Sequence, residues 1–94
     1  MRRISFEEAR DAGGIRGYQV NFDPPTMAEG SSVRSSDFAQ VLRAAMDYVR
    51  SNTRDEPVVI SFNGVSTNEM GAAITEFEAY KEATSVDVKY NEKK

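Results

Sequence analysis

The chain has 94 residues, a formal net charge of −3 and no histidine, cysteine or tryptophan. This composition excludes disulfides, thiol nucleophiles, zinc sites built from thiolate or imidazole, and the Ser-His-Asp triad. The length fits one modest core, so we expect residues 1–94 to form a single small α/β domain. No apolar run approaches the ~20 residues of a membrane span, and no signal-peptide stretch follows Met1. We therefore expect a cytoplasmic protein without membrane contact.

Residues 2–14 have two interpretations. Ser5 and Glu8 have the spacing of a capping box, and Gly13 supplies a stop signal, a pattern that favours a two-turn helix. Residues 2–6 also fit a first β-strand. The glycine-rich stretch at 13–17 precedes a strand instead of following one, so it indicates a turn and not a phosphate-binding loop.

The next elements are a strand and a long helix, separated by a loop. Residues 17–22 alternate between polar and apolar, which predicts a strand with one buried face. The segment 23–32, which contains Pro24 and Pro25, predicts a loop. A helix is predicted from about Ser36 to Asn52, with Ser35 or Ser36 as its cap. Its apolar residues recur on one helical face: Phe38, Val41, Leu42, Ala45 and Val49.

The C-terminal part of the chain predicts a strand, a helix and a second strand. Residues 57–62 are apolar at nearly every position, as in an internal strand covered by its neighbours. Ser66 and Glu69 form a capping box that opens a helix over residues 67–83. Residues 85–90 alternate again and predict an edge strand, where Lys89 discourages further pairing.

This order of elements predicts a specific architecture. Strand, helix, strand, helix, strand implies right-handed crossovers and parallel neighbours. We therefore expect a small two-layer α/β sandwich, with a three-stranded, mostly parallel sheet and two main helices on one face. The opposite face of that sheet carries mostly polar residues: Gln19, Asn21, Val59, Ser61, Asp87 and Lys89.

The segment around the second helix start resembles a known family. A buried strand at 57–62 leads through Gly64-Val65 into a helix capped by Ser66, with small residues at 71–73. This segment resembles the core of the STAS family, the anti-sigma-factor antagonists, and more closely its short STAS-like relatives. The resemblance covers residues 35–83.

The resemblance implies a regulatory mechanism. In the STAS family the helix start carries a phosphorylatable Ser or Thr, and the positions that match are Ser66 and Thr67. A phosphate there adds nearly two negative charges where an anti-sigma kinase docks. Asn68-Glu69-Met70-Gly71 stands where the family has an acidic-Ser-Ser-Gly signature.

The missing residue types also bear on function. We expect no enzymatic activity and no metal or organic cofactor, because histidine and cysteine are absent and the fifteen carboxylates do not have the spacing of a calcium loop. No basic stripe for nucleic acid is visible, so we expect another protein as the partner of a non-catalytic regulatory module. The alternative is a small acidic phage-type inhibitor, anti-CRISPR-like, that blocks a nucleic-acid-processing complex by protein–protein contact. The candidate partner surface is the set of second-helix carboxylates: Glu69, Glu76, Glu78 and Glu82.

Overall fold

The computed structural model describes residues 1–10, 13–14, 16–26, 30–51, 54 and 56–93. Five strands and two helices follow each other as β1 (Arg2–Arg10), β2 (Arg16–Thr26), β3 (Gly30–Ser35), α1 (Phe38–Arg50), β4 (Val58–Asn63), α2 (Thr67–Thr84) and β5 (Val88–Lys93). The strands form one mixed sheet in the order β3-β2-β1-β4-β5. Pairing is antiparallel between β1 and β2 and between β2 and β3, and parallel between β1 and β4 and between β4 and β5.

The prediction of a three-stranded, mostly parallel sheet is wrong, because it misses β1 and β3. The favoured N-terminal helix is instead β1, the middle strand of the five. Ile4 pairs with Phe22 on one side and Ile60 on the other, and its side chain is fully buried in the core. This burial outweighs the local capping-box signal at Ser5, since tertiary packing supplies most of the stability of such short elements.

The prediction of a loop at 23–32 is also wrong for the residues of this segment that the structure describes. β2 continues through Pro24 and Pro25 to Thr26, and β3 begins at Gly30. The pairing of β2 with β1 ends at Asp23, and its register with β3 shifts between Asn21 and Thr26. The prolines therefore lie where the strand has no regular ladder hydrogen bond to donate, which is where a strand tolerates proline.

The remaining elements follow the sequence pattern. Both helices are present, and α1 is capped by Asp37, whose carboxylate accepts a hydrogen bond from the amide of Ala39 at 3.1 Å, in place of the predicted serine cap. β4 lies between β1 and β5, as its apolar pattern predicts. The edge strand β5 begins three residues later than predicted, after the buried Val86. The turn predicted at 13–17 is observed only at its start, at Gly13, and Gly14 has a φ of 78° that favours glycine. Arg16 and Gly17 already belong to β2, and Ile15 lies outside the described residues.

Both helices pack on the same face of the sheet. The ring of Phe6 on β1 lies 5.6 Å from Phe38 of α1 and 6.2 Å from Phe77 of α2, and it stacks on Phe62 of β4 at 5.4 Å. The alternate residues of the strands point away from the helices and leave a polar, partly exposed sheet face that includes Gln19. Within the described part of the chain, neither α1 nor α2 combines the length and the apolarity that a membrane crossing requires.

Candidate functional site

Ser66 is the N-cap of α2, as the sequence predicts. Its backbone is extended, and its side-chain oxygen accepts a hydrogen bond from the amide of Glu69 at 3.3 Å. The Ser66 side chain is half-buried, whereas Thr67, the first residue of the helix, is exposed. The hydroxyl of Ser66 therefore satisfies one of the amides that an α-helix leaves without an internal partner.

Glu69 has a contact that the capping-box pattern does not predict. Its Oε1 accepts a hydrogen bond from the hydroxyl of Tyr18 on β2 at 2.7 Å, which ties the start of α2 to the sheet. The hydrogen bond to Glu69 and some burial raise the pKa of Tyr18. Glu69 is thus a half-buried structural residue, and its Oε2 is buried without a hydrogen-bond partner among the residues that the structure describes.

The four carboxylates predicted as one partner surface lie on different sides of α2. Glu69 and Glu76 are about two turns apart and share one side, whereas Glu78 and Glu82 share another. Glu78 is half-buried near Tyr90 of β5, and burial, together with the Glu78 carboxylate, raises the pKa of Tyr90 to about 12. Glu76 and Glu82 are exposed, so these two carboxylates are the ones most accessible to a partner.

Glu76 lines a groove between the two helices. One part of this groove has a volume of about 430 Å³, and an adjoining part has about 300 Å³. Both parts are lined by Met46 and Arg50 of α1 and by Glu76 of α2. At the C-terminal end of α1 the hydroxyl of Tyr80 donates to the carbonyl oxygen of Val49 at 3.2 Å, which joins the helices there. We call this feature the helical groove.

The wall of the helical groove on α2 combines the small residues Ala79 and Ala83 with Glu76, Tyr80 and Thr84. Ala79 and Ala83 are exposed and line it, and Ala39 lines it from α1. The floor is apolar, since Met46 and Val49 are almost fully buried. Sequence reasoning missed this groove because it sought charged residues on α2, although the recurring alanines of that helix were visible in the sequence.

The remaining acidic groups were considered as possible metal ligands and as groups with a shifted pKa. Among them, no group of three or more acidic side chains is arranged to hold a metal ion. The pKa of Glu56 is lowered, mainly because its carboxylate accepts a hydrogen bond from the N-terminal amine. The positive charges of that amine and of Arg2 lower this pKa further. The ion pair between the N-terminal amine and Glu56 lies at the end of the core opposite to Ser66, and it joins the chain start to the segment before β4.

Comparisons with known proteins leave the family open. No family model, no curated protein and no solved structure matches this chain. The resemblance to STAS-like domains, and the roles that it implies for Ser66 and Thr67, therefore remain predictions.

The geometry of Ser66 predicts how two substitutions differ in stability. We expect Ser66→Ala to lower the free energy of unfolding by about 0.5–2 kcal/mol, because the amide of Glu69 loses its acceptor. Ser66→Asp should retain most of the stability, because aspartate accepts the same hydrogen bond at a helix start. Urea denaturation of both variants measures this, and equal losses in the two would contradict a capping role.

Proposed function

We propose that this protein is a non-catalytic regulatory module that binds another protein, and that the helical groove receives an amphipathic helix of that partner. The observation that carries the proposal is a groove between the two helices that has an apolar floor and a wall formed in part by alanines. Amphipathic helices are recognised in grooves of this kind through apolar residues spaced three and four positions apart.

The alanines of α2 determine how closely a partner can approach. Exposed helix positions are usually covered by long polar side chains, but Ala79 and Ala83 project only a methyl group beside the groove. Helices pack at axial distances of about 8–10 Å when the side chains at the contact are small enough to interdigitate. A ridge of larger apolar side chains on the partner helix would therefore fit against this wall.

The charges beside the groove favour a particular partner. Arg43 and Arg50 lie on the α1 side and Glu76 lies on the α2 side. Arg50 also contacts Asp47 at 3.4 Å, but both side chains are largely exposed, so that ion pair competes weakly with a partner carboxylate. The complementary partner helix would carry acidic residues along the edge facing α1 and a basic residue along the edge facing α2.

One substitution tests whether the groove is the binding site. A tagged chain is used to capture its partner, the purified partner is titrated, and Ala79→Arg is compared with the unchanged protein. We expect Ala79→Arg to weaken partner affinity at least about tenfold, because a long charged side chain fills the apolar groove. The matched control is Thr75→Arg, an exposed position of the same helix that does not line the groove.

The outcomes of this experiment are distinct. Weakened binding in Ala79→Arg together with normal binding in Thr75→Arg supports the proposal. Unchanged affinity in a folded Ala79→Arg protein contradicts it. A concentration-dependent dimer in sedimentation, lost in Ala79→Arg, would assign the groove to a second copy of this chain and would also contradict it.

The position of Ser66 bears on regulation through this groove. Glu76 lies ten positions after Ser66, a rise of about 15 Å along the helix, so a charge at the cap does not reach the groove directly. Partner affinity should thus be unchanged in Ser66→Asp and Thr67→Asp. Loss of binding in either folded variant would instead support the phosphorylation switch that the STAS-like resemblance implies.

A further inference from the structure

β3 forms one edge of the sheet, and its outer side is open. It pairs with β2 on one side, and no described strand lies beyond it in the order β3-β2-β1-β4-β5. In an antiparallel pair, alternate residues direct their backbone groups away from the partner strand. Among the described residues, β3 makes no backbone hydrogen bond apart from those of its pairing with β2. The outward amide and carbonyl groups of β3 are therefore available to another strand.

The two edges of the sheet differ in their protection against such pairing. Three of the six residues of β5 are charged, Lys89, Glu92 and Lys93, whereas β3 contains a single charged residue, Arg34, and no proline. Charged side chains and proline are the usual devices that prevent pairing at an edge, so β3 is the edge that is left open to it. The side chain of Val33 is only half-buried, and a further strand would cover it.

One flank of α1 lies beside this edge. α1 contacts β2 and β3, and α2 contacts β5, so the flank of α1 that faces away from α2 points toward the β3 side of the sheet. The turn of 3.6 residues places Gln40, Ala44 and Asp47 on this flank, opposite Leu42, which lines the helical groove. The exposed Arg43 lies next to them on the outer surface of the helix. We call residues 31–35 of β3, together with these four α1 residues other than Leu42, the edge surface.

The direction of α1 aligns the two parts of the edge surface. β3 points the same way as β4, and α1 returns from the end of β3 to the start of β4, so it runs opposite to both strands. Val33 lies two positions before the end of β3, a distance of about 7 Å along the strand. The same distance along α1 leads from Phe38 to about residue 43. Val33 and the middle of the α1 flank are thus level with each other.

A second copy of the chain fits this surface through a two-fold axis at Val33. Two β3 strands then pair antiparallel, with Val33 opposite Val33 of the second copy and Ser32 opposite its Arg34. This register keeps the polar residues of both strands on one face of a continuous sheet. The next register in one direction places two Arg34 side chains opposite each other, and the next in the other direction pairs Val33 with Ser31. The register centred on Val33 is therefore favoured.

The charges of α1 complement themselves across the same axis. The axis makes the two α1 helices antiparallel, so Arg43 of each copy comes next to Asp47 of the other. Arg50 contacts Asp47 at 3.4 Å within one copy, but both side chains are largely exposed, so that ion pair competes weakly. Ala44 lies between the charged residues, and its small side chain lets the helices approach to the usual axial distance of about 8–10 Å.

We propose that this protein forms a two-fold dimer through the edge surface, in which pairing of the two β3 strands joins the two sheets into one. Backbone hydrogen bonds supply the affinity, and the α1 charges and the position of Arg34 fix the register. The helical groove lies on the other flank of α1 and stays open in this dimer. Dimer formation and the binding of a partner helix can therefore be tested separately.

The test is the dissociation constant of the dimer, measured by sedimentation equilibrium of the full chain over a range of concentrations. The Nε of Arg34 donates to Oε1 of Gln19 at 2.5 Å, and its terminal nitrogens have no hydrogen-bond partner among the described residues. The charge at the exposed position Ser32 should therefore decide the affinity. We expect Ser32→Arg to raise the dissociation constant at least about tenfold and Ser32→Glu to lower it severalfold. The matched changes on α2, Thr75→Arg and Thr75→Glu, should leave it unchanged.

A charge reversal tests the contact between the helices. Arg43→Glu and Asp47→Lys should each weaken the dimer severalfold, and the double variant should restore it, because both ion pairs form again with the charges exchanged. Circular dichroism establishes that each variant is folded. A chain that stays monomeric, or a dimer that is equally stable in Ser32→Arg and Ser32→Glu, would overturn the proposal. So would a dimer that is lost in Ala79→Arg, because it would form through the helical groove instead.

Discussion

Phe6→Ala is expected to lower the free energy of unfolding by about 3–5 kcal/mol, the largest loss that we predict for a single substitution in this protein. Phe6 is 1% exposed and contacts a ring of β4 and a ring of each helix. The cavity left by alanine cannot close without moving all three elements. Small domains have total stabilities of only about 5–15 kcal/mol, so the variant should be close to unfolding. Urea denaturation followed by circular dichroism measures the loss.

The control for this prediction is Phe6→Leu. Leucine keeps most of the buried volume and should cost clearly less than alanine, since the cavity term is small. A loss below about 1.5 kcal/mol for Phe6→Ala would show that the two helices repack readily over the sheet.

Arg2→Ala is expected to lower the free energy of unfolding by about 2–3 kcal/mol, because Arg2 holds the C-terminus of α1 against β1. Its guanidinium donates to the carbonyl oxygen of Tyr48 at 3.0 Å, to the hydroxyl of Ser51 at 3.0 Å and to the carbonyl oxygen of Ser51 at 3.3 Å. It also lies 4.8 Å from the centre of the Tyr48 ring. The carbonyl groups at the end of a helix lack internal partners, and a cation there is favourable.

Neighbouring variants separate this role from a general effect of charge. Arg2→Lys should recover only part of the stability, because an ammonium group cannot reproduce the three-pronged contact of the guanidinium. Arg3→Ala, an exposed position on the other face of the sheet, should change stability by no more than about 0.5 kcal/mol. Similar losses in Arg2→Ala and Arg3→Ala, measured by urea denaturation, would contradict the proposed anchoring of α1.

Local sequence patterns predicted the helices well and the sheet incompletely. The apolar period of α1 and the Ser66 cap of α2 are properties of consecutive residues, so they are visible in the sequence. The same reasoning failed for β1, where the signal from Ser5 and Glu8 favours a helix and the pairing with Phe22 and Ile60 favours a strand. β1 forms a strand because its pairing contributes to the burial of Ile4. The local pattern missed this because the partners of Ile4 come from distant parts of the chain.

The candidate sites also combine features that the local sequence reveals with features that only the tertiary structure reveals. Ser66 was found from its capping pattern, whereas its neighbour Glu69 is tied to Tyr18 across 51 positions, which no local pattern reveals. The helical groove depends on the separation of α1 and α2, and a sequence states which residues are small but not how far apart two helices lie.

By itself, the sequence determined the α/β composition of this protein, the extent of its two helices, the Ser66 cap and the absence of thiol and imidazole chemistry, because these depend on residue type and on short spacings. The tertiary structure alone decided that the described residues form a five-stranded sheet with β1 at its centre, that the α2 carboxylates diverge, and which side chains enclose the helical groove. These features depend on pairing and burial between distant segments, whose free energy exceeds the local preferences of the residues involved.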